Sequence, residues 1–333
     1  GYYNARSQIA VRVWTWNDEQ IDCAFLRARL ARAIAAREPL IDRATTNAYR
    51  LVNAESDLLP GLVVDRYVDF VAVQFLTLGV EKRKTEITEL VQELLEPRGI
   101  YERSDVDVRE KEGLAPSVGV LRGVEPPDLI EMRENDFRFL VDIKRGHKTG
   151  FYLDQRENRR RVAEQVRARG QGSGGAEKIL NVFSYTGAFA VYVCTANKNA
   201  HVVNLDASRD VLNLAQENMR LNGCEERAES VEGDAFQVLR RYRDEGKSFD
   251  AIILDPPKFV HSQSQMQSGL RGYKDINLLA FKLLQPGGTL ATFSCSGQVS
   301  ADLFQKVVFE AATDAKRDAH IVAKLLQAPD HPI

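Results

Sequence analysis

Two apolar runs of strand length end in residues that could carry out covalent chemistry. Residues 249–254 are followed by Asp255, and residues 291–293 are followed by a polar segment that contains Cys295. In open α/β sheets, ligands collect beyond the carboxyl ends of the strands, so both side chains are expected at the mouth of one sheet. A carboxylate and a thiol in that position predict covalent catalysis on a flat, polar substrate.

Alternating strands and helices in the second half of the chain would form this sheet. The pattern predicts strands at 178–183, 201–205, 228–232, 249–254, 288–294 and 320–326, and helices at 187–197, 208–222, 234–245, 273–284 and 300–315. Such alternation is typical of a doubly wound α/β fold with a mostly parallel sheet.

The first strand-to-helix turn of this half distinguishes between two nucleotide-like cofactors. The turn consists of Phe183, Ser184, Tyr185, Thr186 and Gly187. It has a single glycine, whereas a dinucleotide site has three that let the backbone approach a pyrophosphate. The turn therefore argues against NAD.

Acids close the next two predicted strands. Asp206 could accept hydrogen bonds from two ribose hydroxyls, Ser208 lies just beyond it, and Asp234 could accept from an adenine amino group. Helix capping is the alternative role for Ser208 and Asp234. Two acids without phosphate-binding machinery favour S-adenosylmethionine as the cofactor.

Composition restricts the class of protein. The chain of 333 residues is long enough for two domains, and its 44% apolar and 28% charged residues are ordinary for a globular protein. No apolar run approaches the roughly 18–20 residues that span a bilayer, and the start does not resemble a signal peptide. No membrane association is expected.

The four cysteines form no CxxC pair, which predicts a cytoplasmic protein without disulfides and argues against a zinc site or any other metal centre. Cys23, Cys194 and Cys224 are predicted to be structural. Arginines are clustered although the net charge is −2, and one or two of Arg159, Arg160 and Arg161 are predicted to contact RNA phosphate, because a helix points only part of a consecutive triplet at one surface. A solvated helix face is the alternative for this group.

The first half of the chain predicts a different architecture. A helix at 21–38 and a mixture of strands and a helix over 49–103 indicate a small α+β domain. The chain begins without methionine in a strand-like segment, residues 1–16, and ends after another apolar run. We expect a fragment of a longer protein.

Several motifs occur in the order found in one enzyme family. They are residues 103–105, 146–156, 181–187, Asp206, Asp234, 255–259, 271–277 and 293–297. On these motifs the chain resembles the bacterial 23S ribosomal RNA cytosine-carbon-5 methyltransferases, which have an N-terminal PUA domain, a central α+β domain and a class I methyltransferase domain. The resemblance covers nearly the whole chain, and residues 146–156 are its most specific part.

The resemblance implies three segments: the tail of a PUA-like domain at 1–16, an α+β domain and RNA-binding candidate at 17–140, and a Rossmann-like, S-adenosylmethionine-dependent methyltransferase domain at 141–333. The chain departs from the family in having only the tail of the PUA domain and in lacking a strand that follows the position of Ile333. The resemblance also implies cofactor contacts from Lys148, Tyr152, Asp154, Gln155 and Arg156.

The implied reaction is methylation of carbon 5 of a cytosine in 23S ribosomal RNA. This carbon is a weak nucleophile, and addition of the Cys295 thiolate to carbon 6 would activate it. Asp255 would bind the cytosine edge and border the cofactor. Substrate contacts are further implied for four residues: Pro256 and Pro257 would fix the loop, Lys258 would hold a phosphate, and Phe259 would stack on a flipped-out base.

Other functions remain open on the sequence. Asp-Pro-Pro followed by an aromatic residue also serves enzymes that methylate amino groups of adenine or guanine, which need no thiol. An NAD-dependent oxidoreductase and a non-catalytic RNA-binding protein are further alternatives, and the chain could pair as a homodimer.

Overall fold

The computed structural model describes residues 1–170 and 177–332, and the chain divides into two compact units. The first unit is Gly1–Glu157 together with Leu326–Ile333, and the second is Asn158–Leu325. Each unit has its own hydrophobic core.

The first unit is an α+β structure. Its strands are β1 (Tyr2–Tyr3), β2 (Val11–Arg12), β3 (Ala48–Asn53), β4 (Leu62–Tyr67), β5 (Phe70–Phe75), β6 (Gly99–Ser104), β7 (Ser117–Gly123), β8 (Ile130–Glu134) and β9 (Phe137–Val141). Its helices are α1 (Cys23–Arg37), α2 (Leu78–Lys82), α3 (Lys84–Leu95) and α4 (Val108–Lys111). Strands β3 to β7 form one sheet in sequence order, in which only β5 and β6 run parallel.

The second unit is the predicted doubly wound sheet. Its strands are β10 (Glu177–Val182), β11 (Ala200–Asp206), β12 (Ala228–Glu232), β13 (Phe249–Leu254) and β14 (Leu284–Thr292). Its helices are α5 (Arg156–Gly170), which begins just before the unit boundary, α6 (Ala188–Ala196), α7 (Arg209–Leu221), α8 (Ala235–Asp244), α9 (Met266–Leu283) and α10 (Ala301–Asp314).

The strand order is β12-β11-β10-β13-β14, and every neighbouring pair is parallel. The order reverses between β10 and β13, which is where ligands bind in open α/β sheets. The Rossmann-like fold class is thereby confirmed.

One predicted strand is wrong. Residues 320–326 have no regular structure, and Ile321 and Val322 are 63% and 73% exposed. A strand needs a hydrogen-bonded neighbour, and among the described residues β14 pairs only with β13. The apolar pattern at 320–326 is therefore not accompanied by pairing.

The compact units divide the chain after Glu157 and before Leu326, and the predicted segments 1–16, 17–140 and 141–333 stay predictions. Trp14 is buried and stacks on Phe25 with ring centroids 6.4 Å apart, so Trp14 belongs to the core of the first unit. Residues beyond 140 also belong to that unit, because Arg103 donates to the carbonyl of Ile143 at 2.8 Å. Residue Asp330 near the end of the chain is buried there as well.

Candidate active site

The turn between β10 and α6 has an unusual backbone. Phe183 and Tyr185 have φ angles of 59° and 47°, in the left-handed region that side chains rarely occupy. Such conformations cost about 1–3 kcal/mol each and cluster at functional sites. Gly187 has φ 76°, and a Cβ there would lie 2.9 Å from the Cβ of Ala215. The single glycine thus lets the turn pack against α7.

Asp206, at the end of β11, holds this turn in place. One carboxylate oxygen accepts the backbone N–H of Tyr185 at 2.9 Å, and the other accepts that of Ser208 at 3.2 Å. A carboxylate offers about four acceptor positions, so lone pairs remain for ligand hydroxyls. The side chain of Ser208 makes no capping bond, although the residue occupies the N-cap position of α7.

Two hydroxyls in the turn are buried without partners. Ser184 Oγ and Thr186 Oγ1 have no hydrogen-bond partner among the described residues. Buried polar groups are normally satisfied, and each exception asks for an explanation such as a missing ligand or water. The acidic and hydroxyl groups of the turn fit the ribose and amino-acid parts of S-adenosylmethionine, because these parts carry hydrogen-bond donors and acceptors.

Asp234 follows β12 and is exposed. It caps α8 by accepting the backbone N–H of Gln237 at 2.9 Å. The capping role considered for this residue is therefore observed, and its contact with adenine stays a prediction.

The loop after β13 places the predicted substrate residues side by side. Asp255 is half-buried, Pro256 is buried, and Pro257 and Lys258 are exposed. Phe259 is half-buried and packs among three aromatic rings, those of Phe183, Phe236 and Tyr273, at centroid distances of 6.4, 5.9 and 4.7 Å. Core packing is thus the observed role of Phe259, and stacking on a base stays a prediction.

The loop after β14 brings Cys295 to the loop after β13. Cys295 is exposed, and its Sγ lies 3.8 Å from the carbonyl oxygen of Pro256. Ser296 Oγ donates to the carbonyl of Val260 at 2.6 Å, and the backbone N–H of Phe293 donates to the carbonyl of Leu254 at 2.9 Å. The strand ends thus join the thiol and the Asp255 loop in one site, as the sequence predicts.

The other cysteines lie elsewhere. Cys194 and Cys224 are buried, and Arg227 donates to Cys224 Sγ at 3.4 Å. The Cys194 thiol, Thr195 and the Arg227 charge lower the pKa of Cys224 to about 6. Cys23 is exposed at the start of α1, and its predicted structural role stays a prediction.

The five residues at 148–156 lie in the first unit. Lys148 is exposed with its Nζ 5.7 Å from the Tyr152 ring, and the Asp154 carbonyl accepts the backbone N–H of Ala328 at 2.7 Å. Gln155 is half-buried in a short 3₁₀ helix. Cofactor contacts from these residues stay predictions.

Arg156 is buried and forms an ion pair with Asp330 at 2.8 Å. This partner accounts for the charge of Arg156 without a cofactor. Burial alone would raise the pKa of the Asp330 carboxyl, but the neighbouring His331 side chain, the Arg156 charge and the backbone N–H of Arg50 hold it below its usual range.

The arginine triplet does not form one surface. Arg159 is 2% exposed and faces the core, which agrees with the expectation that only one or two of the three point outward. The side chains of Arg160 and Arg161 are 41% and 60% exposed, and both pair with Glu164. Successive helical residues point about 100° apart, so one of three consecutive side chains faces the core.

Sequence reasoning assigned no role to Tyr273 of α9, whose hydroxyl accepts a hydrogen bond from Ser294 at 3.1 Å. Tyr273 lies on the buried face of the helix with Ile276, Asn277 and Ala280, a helical spacing visible in the sequence. Its contact with the Cys295 loop depends on tertiary structure, which spacing does not reveal.

No cluster of side chains that could hold a metal ion occurs in the described ranges 1–170 and 177–332. Within the same ranges, no helix is both long enough and apolar enough to cross a membrane.

Residues 115–333 match the family described as S-adenosylmethionine-dependent methyltransferase. The whole chain is 47% identical to the ribosomal RNA large subunit methyltransferase I of Aeromonas salmonicida and 48% identical to that of Shewanella denitrificans, and it covers 82% of each. Among solved structures, a proposed SAM-dependent methyltransferase from Streptococcus mutans superposes with a TM-score of 0.83 at 22% identity. That alignment covers 100% of this chain and 82% of the other, and the likeness shows the fold.

Proposed function

Because this chain belongs to the S-adenosylmethionine-dependent methyltransferases, we propose that it methylates carbon 5 of a cytosine in 23S ribosomal RNA. Its relatives carry the name of large-subunit ribosomal RNA methyltransferases. The observation that carries the choice of carbon 5 is the exposed thiol of Cys295, 3.8 Å from the carbonyl oxygen of Pro256.

S-adenosylmethionine, the cofactor of this family, supplies an electrophilic methyl group when bound. The residues that would hold it are those of the β10–α6 turn. Asp206 would accept from the ribose hydroxyls, and Ser184 and Thr186 have buried hydroxyls without partners among the described residues. Asp234 would accept from the adenine amino group.

Cys295 would act as a nucleophile toward the cytosine ring. Its thiolate would add to carbon 6, and the electrons of the 5,6 double bond would then let carbon 5 take the methyl group, while the pair of the broken sulfur–methyl bond stays on sulfur and a neutral thioether leaves. Loss of the carbon 5 proton to a base restores the double bond and expels the thiolate. The thiolate is the reactive form, so the proton must leave Cys295 before the addition.

Asp255 would steady the cytosine during this addition. Its carboxyl follows β13 and lies in the loop that Cys295 contacts through Pro256. In its protonated form it could donate to ring nitrogen 3, where negative charge accumulates as the thiolate adds. Pro256 and Pro257 restrict the backbone that carries this carboxyl.

The proposed substrate is 23S ribosomal RNA, and a ribosomal substrate would place the enzyme in the cytoplasm, as the sequence predicts. The predicted homodimer and the PUA-like assignment of residues 1–16 stay predictions. Methylation of an amino group on adenine or guanine is the competing reaction, since it would use the Asp255 loop without the thiol.

The test uses 23S ribosomal RNA from cells that lack the gene, offered both as naked RNA and in large subunits. The RNA is incubated with the protein and S-adenosylmethionine carrying a deuterated methyl group, and its nucleosides are analysed by mass spectrometry. We expect labelled 5-methylcytidine. Labelled N-methyladenosine or N-methylguanosine would establish the competing reaction, and the absence of label on both substrates would favour a non-catalytic protein.

A further inference from the structure

We infer that the buried side chain of Tyr273 is a positioning group: its ring packs on Phe259 of the Asp255 loop, its hydroxyl holds Ser294 of the Cys295 loop, and together these contacts fix the thiol. The inference rests on the proposed function, because it concerns how the thiol is held for attack. Tyr273 is not itself expected to touch the cytosine.

The hydroxyl lies where the two loops meet. It accepts from Ser294 Oγ at 3.1 Å, and the ring that carries it packs on the Phe259 ring with centroids 4.7 Å apart. Ser294 belongs to the Cys295 loop and Phe259 to the Asp255 loop, so one side chain contacts both. The bond between Ser296 and the Val260 carbonyl, at 2.6 Å, is a second link between the same loops.

The Tyr273 ring is locked in place. It is fully buried between Phe259 and Phe304, at centroid distances of 4.7 and 5.5 Å. The backbone carbonyl of Tyr273 also accepts from the amide of Asn277 at 2.8 Å. Groups held by packing on a rigid helix position a site more tightly than groups on loops.

Helix α9 is built to approach the Asp255 loop closely. It has glycine at 269 and 272 in its interior, although glycine costs about 1 kcal/mol relative to alanine in a helix. A Cβ at Gly269 would lie 2.6 Å from the Phe259 carbonyl oxygen, and one at Gly272 would lie 3.3 Å from the Phe259 ring. These glycines allow the contact that brings the Tyr273 ring to the loop.

The electrostatics agree with this placement. Burial raises the pKa of Tyr273, the hydrogen bond from Ser294 opposes the rise, and the charges of Cys295 and Asp255 add to it. Because its pKa is raised, the hydroxyl stays protonated and can serve as a neutral partner of Ser294 beside a thiolate.

The test compares Tyr273→Phe with Tyr242→Phe. The first removes the hydroxyl and keeps the ring. The second removes the hydroxyl of Tyr242, another buried tyrosine of the same unit. Its ring packs on that of Phe249, the first residue of β13, with centroids 5.9 Å apart. We expect kcat for cytosine methylation to fall about 10- to 100-fold in Tyr273→Phe, since a misplacement of about 1 Å can cost that much. The dissociation constant of S-adenosylmethionine should stay within about twofold.

A second readout needs neither RNA nor turnover. The Cys295 thiol is within hydrogen-bonding distance of the Pro256 carbonyl, an interaction that favours the neutral thiol. Loosening the loops should weaken this bond and speed alkylation of Cys295 by iodoacetamide about two- to tenfold, the range that corresponds to one ordinary hydrogen bond. Peptide mass spectrometry would follow the alkylation at Cys295.

Ser294→Ala removes the other side of the bridge and keeps the inference testable if Tyr273→Phe folds poorly. The double variant should lose little more kcat than the Tyr273 variant alone, because both changes break one connection. The inference is overturned if Tyr273→Phe behaves like Tyr242→Phe in both readouts, or if the two losses are additive. If the wild-type protein methylates cytosine, either of these results counts against the Tyr273 bridge and leaves the proposed function intact. If the wild-type protein does not methylate cytosine, the proposed function itself is contradicted.

Discussion

The Sγ atom of Cys295 lies 3.8 Å from the carbonyl oxygen of Pro256, although the two residues follow different strands. This contact joins the loop after β14 to the loop after β13 at the carboxyl edge of the parallel sheet. The position of Cys295 distinguishes it from Cys194 and Cys224, which are buried, and from Cys23, which is exposed on a helix of the other unit. Cys295 is therefore the exposed cysteine at the carboxyl edge of this sheet, which is why we propose it as the nucleophile.

Replacement of Cys295 by alanine should abolish methylation. Loss of an essential nucleophile removes covalent catalysis, and in a well-studied protease a comparable loss costs about 10⁶-fold in kcat. We expect a decrease of at least about 10³-fold in transfer of labelled methyl to RNA, with cofactor affinity unchanged. Cys23→Ala is the matched control, because it removes an exposed thiol outside the site. Substantial turnover by Cys295→Ala would favour amino-group methylation.

Asp206→Ala should weaken binding of S-adenosylmethionine by roughly 10- to 150-fold, because a hydrogen bond to a charged group contributes about 1.5–3 kcal/mol. Calorimetry would measure the dissociation constant. Asp206→Asn should weaken binding less, since the amide oxygen can still accept one of the two backbone N–H groups of the turn. Asp210→Ala, at an exposed position in the first turn of α7, serves as the control. If Asp206→Ala and the parent bind S-adenosylmethionine with equal affinity, Asp206 has a purely structural role.

Asp330→Ala should destabilise the first unit by up to about 3–5 kcal/mol, because it leaves the buried Arg156 with only the more distant carboxylate of Glu157, 3.5 Å away. The free energy of unfolding in urea would show the loss, and Asp18→Ala at an exposed position of the same unit is the control. If the free energy of unfolding falls by less than about 1 kcal/mol, the size of one ordinary hydrogen bond, Arg156 is satisfied without Asp330.

The same carboxyl predicts a dependence of stability on pH. Its pKa is lowered in the folded protein, so its stabilising contribution is fully present above the unfolded pKa of about 3.9 and is lost as the pH falls further. The parent should therefore lose more stability than Asp330→Asn between neutral and strongly acidic pH. Parallel pH profiles of the two proteins would contradict the assignment.

Arg160 and Arg161 are the members of the arginine triplet that remain available for RNA. Replacing both by glutamine should flatten the slope of log RNA affinity against log salt concentration. The slope should change by about 0.7 for each phosphate that is no longer bound. Arg159 is left intact because it is buried. Arg243→Gln on α8 is the control, and an unchanged slope would identify the two arginines as a solvated helix face that pairs with Glu164.

The sheet of the second unit could be predicted because buried parallel strands have apolar runs that end in polar residues. Asp206 and Cys295 were found in this way, since each follows such a run. Residues 320–326 have a similar pattern, but an apolar run does not reveal whether a partner strand is present. The buried Arg159 and the Tyr273 bridge depend on which helical side chains face the core and on contacts between distant segments. Those properties are set by tertiary packing and are not visible in local spacing.

Incubation of the protein with S-adenosylmethionine and RNA that carries 5-fluorocytosine tests the covalent mechanism most directly. Fluorine at carbon 5 cannot leave as a proton does, so the thiolate cannot be expelled after methyl transfer, and the adduct persists. We predict a covalent protein–RNA complex whose digestion gives a methylated fluorocytosine linked to the peptide that contains Cys295. Methylation of ordinary RNA by a protein that forms no such adduct, or an adduct through another cysteine, would contradict the account.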